Sequence, residues 1–213
     1  MQTLFFDIDG VLVHGYHARI ERRICWDRNI ERDFCINQQR FQKEFIAGPF
    51  IREVIVGRKD LKEALAEALP ALGFSGDPQI FMDYWLRNDA HLNQDLLRQV
   101  GLLKRSGRVK LFIATNQEHH RARYLMQDLG LKKYFDDIFY SARIGHTKPS
   151  AGYFRHIAAE LQLSSGDRPV LFDDSANVAA AARAFGWDAI EYLDAADLFK
   201  SSIVTEILGR SDH

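Results

Sequence analysis

The strongest constraint on the fold is a recurring arrangement in which an apolar run of strand length ends at polar side chains and a stretch with helical spacing follows. Residues 2–8 (QTLFFDI) end beside Asp7 and Asp9, with Gly10 behind them. VKLFIAT at 109–115 ends at Thr115 and Asn116, and PVLFDD at 169–174 ends at Asp173 and Asp174. The shorter DIFYSA at 137–142 ends near Gly145, and DAIEYL at 188–193 follows Gly186. Apolar runs of this kind suit strands buried on both faces, as in a parallel sheet. Residues 92–105, 118–129, 150–163 and 176–185 carry helical spacing between them. Gly107, Gly130 and Gly186 stop three of these stretches, and Ser150 is the expected N-cap of another. Strands alternating with helices predict an α/β fold with helices on both faces of the sheet.

Residues 15–88 break this rhythm. Helices are expected around 17–30, 37–46, 58–70 and 78–88, with turns at Gly48-Pro49, at Pro70 and between Gly73 and Pro78. No buried strand run is evident there, so the segment reads as a helical insertion between the first strand and the rest of the sheet. The expected division is therefore a core of 1–14 and 89–213 and a helical unit of 15–88.

The 213 residues suffice for one domain carrying such an insertion. A net charge of −1 offers no basic field for nucleic acid, and no stretch has the length of apolar sequence that a membrane helix needs. The N-terminal apolar run is too short for a signal peptide and is broken by Asp7 and Asp9. Cys25 and Cys35 do not form a metal or redox spacing. Reduced thiols in a cytoplasmic protein are the simplest reading, and a single disulfide is the alternative.

Open parallel sheets bind ligands at the C-terminal ends of their strands, where Asp7, Asp9, Thr115, Asn116, Asp173 and Asp174 all fall. Lys148 lies in the loop after the third strand. These residues offer carboxylates, a hydroxyl, an amide and an ammonium, a set that suits a divalent cation together with a phosphate. Asp7 and Asp9 are two apart, so an extended chain points both to the same side. Gly10 allows the backbone to turn close to a bound group. Each feature has a plainer reading: acids and Thr cap helix starts, and a single Lys is ordinarily solvated.

FFDIDGVLV at 5–13, LFIATN at 111–116, GHTKP at 145–149 and LFDDSANV at 171–178 resemble, in order, the motifs of the haloacid dehalogenase-like (HAD) superfamily. The resemblance implies a three-layer, Rossmann-like sandwich with a five-stranded parallel sheet in the order 5-4-1-2-3. It also implies a small all-α cap inserted after the first motif. By the same resemblance Asp7 attacks phosphorus to form an aspartyl-phosphate, and Asp9 acts as acid and then base. Thr115, Asn116, Gly10 and Lys148 bind the phosphoryl group. Mg²⁺ is held by the Asp7 and Asp174 carboxylates and the Asp9 carbonyl, with Asp173 in support. One departure stands out: many relatives carry Asp or Asn four residues after the position of Asp174, where this chain has Val178, and Asn177 is the candidate substitute.

The expected activity is Mg²⁺-dependent hydrolysis of a small phosphate ester, such as a sugar phosphate or a phosphorylated short acid. Phosphomutase and 2-haloacid dehalogenase are alternatives on the same fold, and a non-catalytic phosphometabolite-binding module is the alternative of another class. His14 and Tyr16 are candidates for substrate contact at the site mouth. His119, His120 and His146 read as surface residues, and Arg19, Arg22 and Arg23 as a solvated helix face. Phe81, Trp85 and Leu86 read as packing between insertion and core.

Overall fold

The computed structural model describes residues 1–164 and 166–209. Five strands form one parallel sheet: β1 (Gln2–Phe6), β4 (Val109–Thr115), β5 (Asp137–Tyr140), β6 (Val170–Asp173) and β7 (Asp188–Glu191). Two further strands, β2 (Val13–His14) and β3 (His91–Leu92), pair antiparallel as a separate short ribbon. The sheet order is β5-β4-β1-β6-β7. With the ribbon left out of the count, this is the expected 5-4-1-2-3.

The alternation of side chains along each strand makes three layers. In β1, Leu4 and Phe6 enter one apolar cluster and Phe5 enters another. Leu111 and Ile113 of β4 follow the first set, whereas Phe112 and Ala114 follow the second. The first face is covered by α5 (Gln94–Arg105), α6 (His119–Gln127) and α10 (Ser202–Leu208), and the second by α8 (Ala151–Glu160) and α9 (Ala176–Phe185). Helix α10 and the single turn α7 (Ser141–Ile144) were not expected from sequence; both are short.

The chain leaves the core through β2 and returns through β3. Between them lie α1 (Ile30–Phe34), α2 (Gln38–Arg40, continuing through Phe41–Val54 with a break at Gly48), α3 (Leu61–Ala68) and α4 (Pro78–Asn88). These helices surround their own apolar cluster, in which Trp26 stacks on Trp85 with centroids 4.5 Å apart. Phe81, Trp85 and Leu86 are buried in the insert's own cluster, against which Tyr124 of α6 in the core also packs.

Residues 17–30 do not form the expected helix. Only Ile20–Arg22 makes a turn of 3₁₀ helix, because the segment's donors are used in contacts with the core and with its own entry. Ala18 N–H donates to Asp174, Ile24 N–H to the Gly15 carbonyl, and Arg22 to the Leu193 carbonyl at 2.7 Å. Arg19 pairs with Glu191 at 2.9 Å and Arg23 donates to the His17 carbonyl, so these arginines staple a strap rather than line a solvated helix face.

Phe5 sits at the centre of the second face, stacked on Trp187 with centroids 4.7 Å apart and beside Phe112 and Phe139. Phe5→Ala is expected to lower unfolding free energy by about 3–5 kcal/mol in urea titration. A change below about 1 kcal/mol would show that this face tolerates the cavity.

Candidate active site

The strands on either side of β1 belong to opposite halves of the sheet, so the crevice above its C-terminal end is the switch point where parallel sheets place ligands. Three chain segments meet there. Asp7 follows β1, Asp173 and Asp174 close β6, and Lys148 arrives from the loop beyond β5.

Lys148 is buried, and its ammonium reaches three acceptors: the Ala114 carbonyl at 2.8 Å, Asp173 Oδ2 at 2.6 Å and Asp7 Oδ2 at 2.9 Å. An ammonium has three hydrogens, so each finds a partner. Burial alone would depress the Lys148 pKa, but Asp173 and Asp7 outweigh it and hold the side chain charged. Asn116 brackets the backbone of this lysine, its Nδ2 donating to the Lys148 carbonyl (3.1 Å) and its Oδ1 accepting the Lys148 N–H (2.8 Å). Asn116 thus acts on the loop through its side chain. Thr115 is buried at the end of β4.

Asp7, Asp173 and Asp174 present oxygens that all lie within 4.8 Å of one another. Burial is the main force raising the Asp7 pKa well above the carboxylate range; Lys148 opposes it, and Asp173 and Asp174 add to it. Asp174 is pushed up to about 6, again chiefly by burial. Three carboxylates facing one ammonium leave an excess of negative charge, and an all-oxygen donor set of this kind fits a hard divalent cation such as Mg²⁺. Gly10 has φ +77°, and a Cβ there would stand 2.3 Å from Asp174 Oδ2, so the close approach of the β1 loop to Asp174 requires glycine.

Asp174 is supported from the insert's entry. Ala18 N–H donates to its Oδ2 at 2.6 Å, and His17 Nδ1 lies 3.1 Å from the same oxygen. His17 Nδ1 accepts the Arg19 N–H, and burial, with Arg22 and Arg19, lowers the pKa of the ring. Nε2 is buried and has no hydrogen-bond partner among the described residues. Asn177 is exposed on the first turn of α9 and Val178 packs in the core, so the backbone of Ala18, and not Asn177, stands against Asp174.

Asp9 points to a different set of partners. Arg121 Nη1 and Nη2 hold its two oxygens at 2.9 and 2.8 Å, and Gln117 Nε2 donates to Oδ2 at 2.6 Å. Arg121 is buried and also reaches Asp89 Oδ2 at 3.1 Å. Glu118, capping α6, accepts the backbone N–H groups of His120 and Arg121.

The insert touches the opposite rim as well. Ser141 Oγ donates to the Ile55 carbonyl at 2.6 Å, and His120 Nε2 lies 2.7 Å from Asp60 Oδ2. His120 is thus a link between insert and core rather than a free surface residue. His119 (against the Tyr140 hydroxyl at 3.2 Å) and His146 are exposed, as are His14 and Tyr16, the latter lying under the Arg23 guanidinium. His17, Asp89, Gln117 and Arg121 escaped the sequence reading. The helical spacing of 118–129 was legible, but no local pattern separates a buried arginine from a solvated one.

Residues 1–186 match the family model for haloacid dehalogenase-like hydrolases. YfnB, a HAD-family protein of Bacillus subtilis, is 23% identical over 183 residues, covering 82% of this chain and 76% of the relative. The fold is shared with the HAD family enzyme bt-2542 of Bacteroides thetaiotaomicron in its magnesium complex, at TM-score 0.74 and 17% identity over 94% of this chain and 99% of that one. L-2-haloacid dehalogenase of Xanthobacter autotrophicus, with chloropropionic acid covalently bound, superposes at TM-score 0.60 and 17% identity, covering 97% and 84%. None of the described helices is long and apolar enough to cross a membrane. With most of its length matching the family model and its motif residues gathered at the switch point, the chain belongs to the haloacid dehalogenase-like hydrolases.

Proposed function

We propose that this hydrolase is a Mg²⁺-dependent phosphatase acting on a small phosphorylated metabolite through an aspartyl-phosphate on Asp7. The observation that carries the reading is Asp7 itself: a buried carboxylate 2.9 Å from a fixed ammonium and clustered with two further carboxylates. Asp7 attacks phosphorus, the ester P–O bond breaks, and the departing oxygen takes a proton from Asp9. Asp9 then takes a proton from water, whose oxygen attacks the phosphoryl group and frees Asp7 and inorganic phosphate. Lys148 and Thr115 offset charge and hold the phosphoryl oxygens, and Asn116 keeps the Lys148 loop in place. Asp7, Asp174 and the Asp9 carbonyl would hold the cation, with Asp173 orienting Lys148. Mg²⁺ supplies charge neutralisation on the phosphoryl oxygens.

Crystals of bt-2542 contain magnesium and inorganic phosphate, which is consistent with this chemistry. A dehalogenase reading fits less well, because expelling a halide beside three carboxylates is electrostatically unfavourable. The strap at residues 17–23 and the contacts of Ile55 and Asp60 flank the crevice on both sides, which favours a small substrate over a protein.

Asp7→Asn is expected to lower Mg²⁺-dependent hydrolysis of p-nitrophenyl phosphate by about 10³-fold or more, and Lys148→Met by about 10²–10³-fold. Equal turnover by wild type and Asp7→Asn would sink the nucleophile assignment.

Asp174 yields a pH-dependent expectation. Its folded pKa of about 6 lies above the unfolded value of 3.8, so the folded state binds the extra proton. Its favourable contribution is complete below the unfolded value and is lost as pH rises through about 6. In Mg²⁺-free buffer at pH 7.5, Asp174→Asn should therefore be more stable than wild type by about 1–2 kcal/mol, with the gap closing towards pH 4. The variant should also lose the rise in Tm that Mg²⁺ gives the wild type. A less stable variant at pH 7.5, or an unchanged Mg²⁺ response, would contradict the assignment.

A further inference from the structure

Asp9 has a grip that the phosphatase chemistry does not require. Three donors converge on its carboxylate: both Nη groups of Arg121 and the Gln117 amide. A carboxylate offers about four lone-pair directions, so only one remains open, on Oδ1. A planar guanidinium fork also fixes the plane of the carboxylate, which a single ammonium cannot do. The orientation of Asp9 is thus decided by where Arg121 stands.

Arg121 is placed in turn by the exit of the helical insert. Its Nη2 donates to the Asp89 carbonyl at 3.1 Å and lies 3.1 Å from Asp89 Oδ2. Asp89 is buried between the last residue of α4 and the start of β3, where the chain returns to the core. Gly15, at the insert's entry, packs so closely on it that a Cβ would stand 2.6 Å from Asp89 Oδ1. Asp89 therefore touches both crossings between core and insert, and one arginine joins it to Asp9.

We propose that Arg121 is a positioning residue for Asp9 and that Asp89 ties this position to the seat of the helical insert, so the aspartate is aligned only while the insert is seated. The proposal rests on the reading of Asp9 as acid and base. A residue that aligns a proton donor matters more for an ester with a poor leaving group, which separates this role from general loss of structure.

The test compares wild type, Arg121→Met, Arg121→Lys and Asp89→Asn on p-nitrophenyl phosphate and on phenyl phosphate, whose leaving group is poorer. Arg121→Met and Asp89→Asn should lose at least about tenfold more kcat on phenyl phosphate than on the nitrophenyl ester, with KM changed by less than about threefold. Arg121→Lys should not restore the loss, because one ammonium cannot hold both oxygens. Equal losses on the two esters, or full restoration by Lys, would overturn the positioning role.

Electron–electron distance measurements between spin labels at Cys35 and at Lys132→Cys, in a Cys25→Ser background, report the seat of the insert without any turnover. Arg121→Met and Asp89→Asn should broaden the distance distribution, and an unchanged distribution in both would overturn the tie to the insert. A wild type that hydrolyses neither ester would sink the phosphatase reading, and the distance data would still decide whether Arg121 and Asp89 hold the insert.

Discussion

The buried ammonium of Lys148 is the interaction on which the site depends. A lone lysine at this depth would lose its proton, because burial penalises the charged form. Here Asp173 and Asp7 reverse that balance, and the Ala114 carbonyl takes the third hydrogen. The relation is not symmetrical. Burial raises Asp7 and Asp174, and Lys148 opposes that rise without cancelling it. The fold thus gathers three carboxylates around one ammonium. The parallel sheet delivers β1 and β6 side by side, and the Asn116 bracket fixes the loop that carries Lys148.

This part of the molecule was legible in the sequence because all of its residues but Lys148, which lies in the loop beyond β5, sit at or beside a strand end. The strand runs are apolar on both faces, so their ends are marked wherever polarity returns, as at Asp7, Thr115 and Asp173. The order of the sheet and the convergence of these ends follow from rules for parallel strands.

What was not legible depends on contacts between distant segments. Residues 17–30 have the composition of a helix, yet Ala18, Arg19 and Arg22 are fastened to Asp174, Glu191 and the Leu193 carbonyl. Propensity is a weak prior, and tertiary hydrogen bonds override it. Arg121 presents the same difficulty. It occupies the first turn of an ordinary amphipathic helix, and only the arrival of Asp9 and Asp89 from two other segments makes it a buried ion-pair partner. Val178 is the converse case. The polar residue expected there is replaced by core packing, and the Ala18 backbone stands against Asp174 instead.

The insert is held together chiefly by apolar packing, and the core meets it through Tyr124 as well as through polar contacts. Inside the insert, rings such as Trp26, Phe41, Phe81 and Trp85 exclude water from a continuous cluster, and parting them would expose apolar surface at about 25 cal/mol per Å². Between insert and core, the polar contacts named above are Ala18 with Asp174, Arg19 with Glu191, Asp60 with His120 and Ser141 with the Ile55 carbonyl. Such bonds exchange readily for water and contribute about 1 kcal/mol or less each. When the molecule yields, it is therefore expected to yield at the β2–β3 ribbon and leave the insert's core whole. The Asp9–Arg121–Asp89 chain lies across that line, so the residue read as the proton donor is anchored to the junction between insert and core.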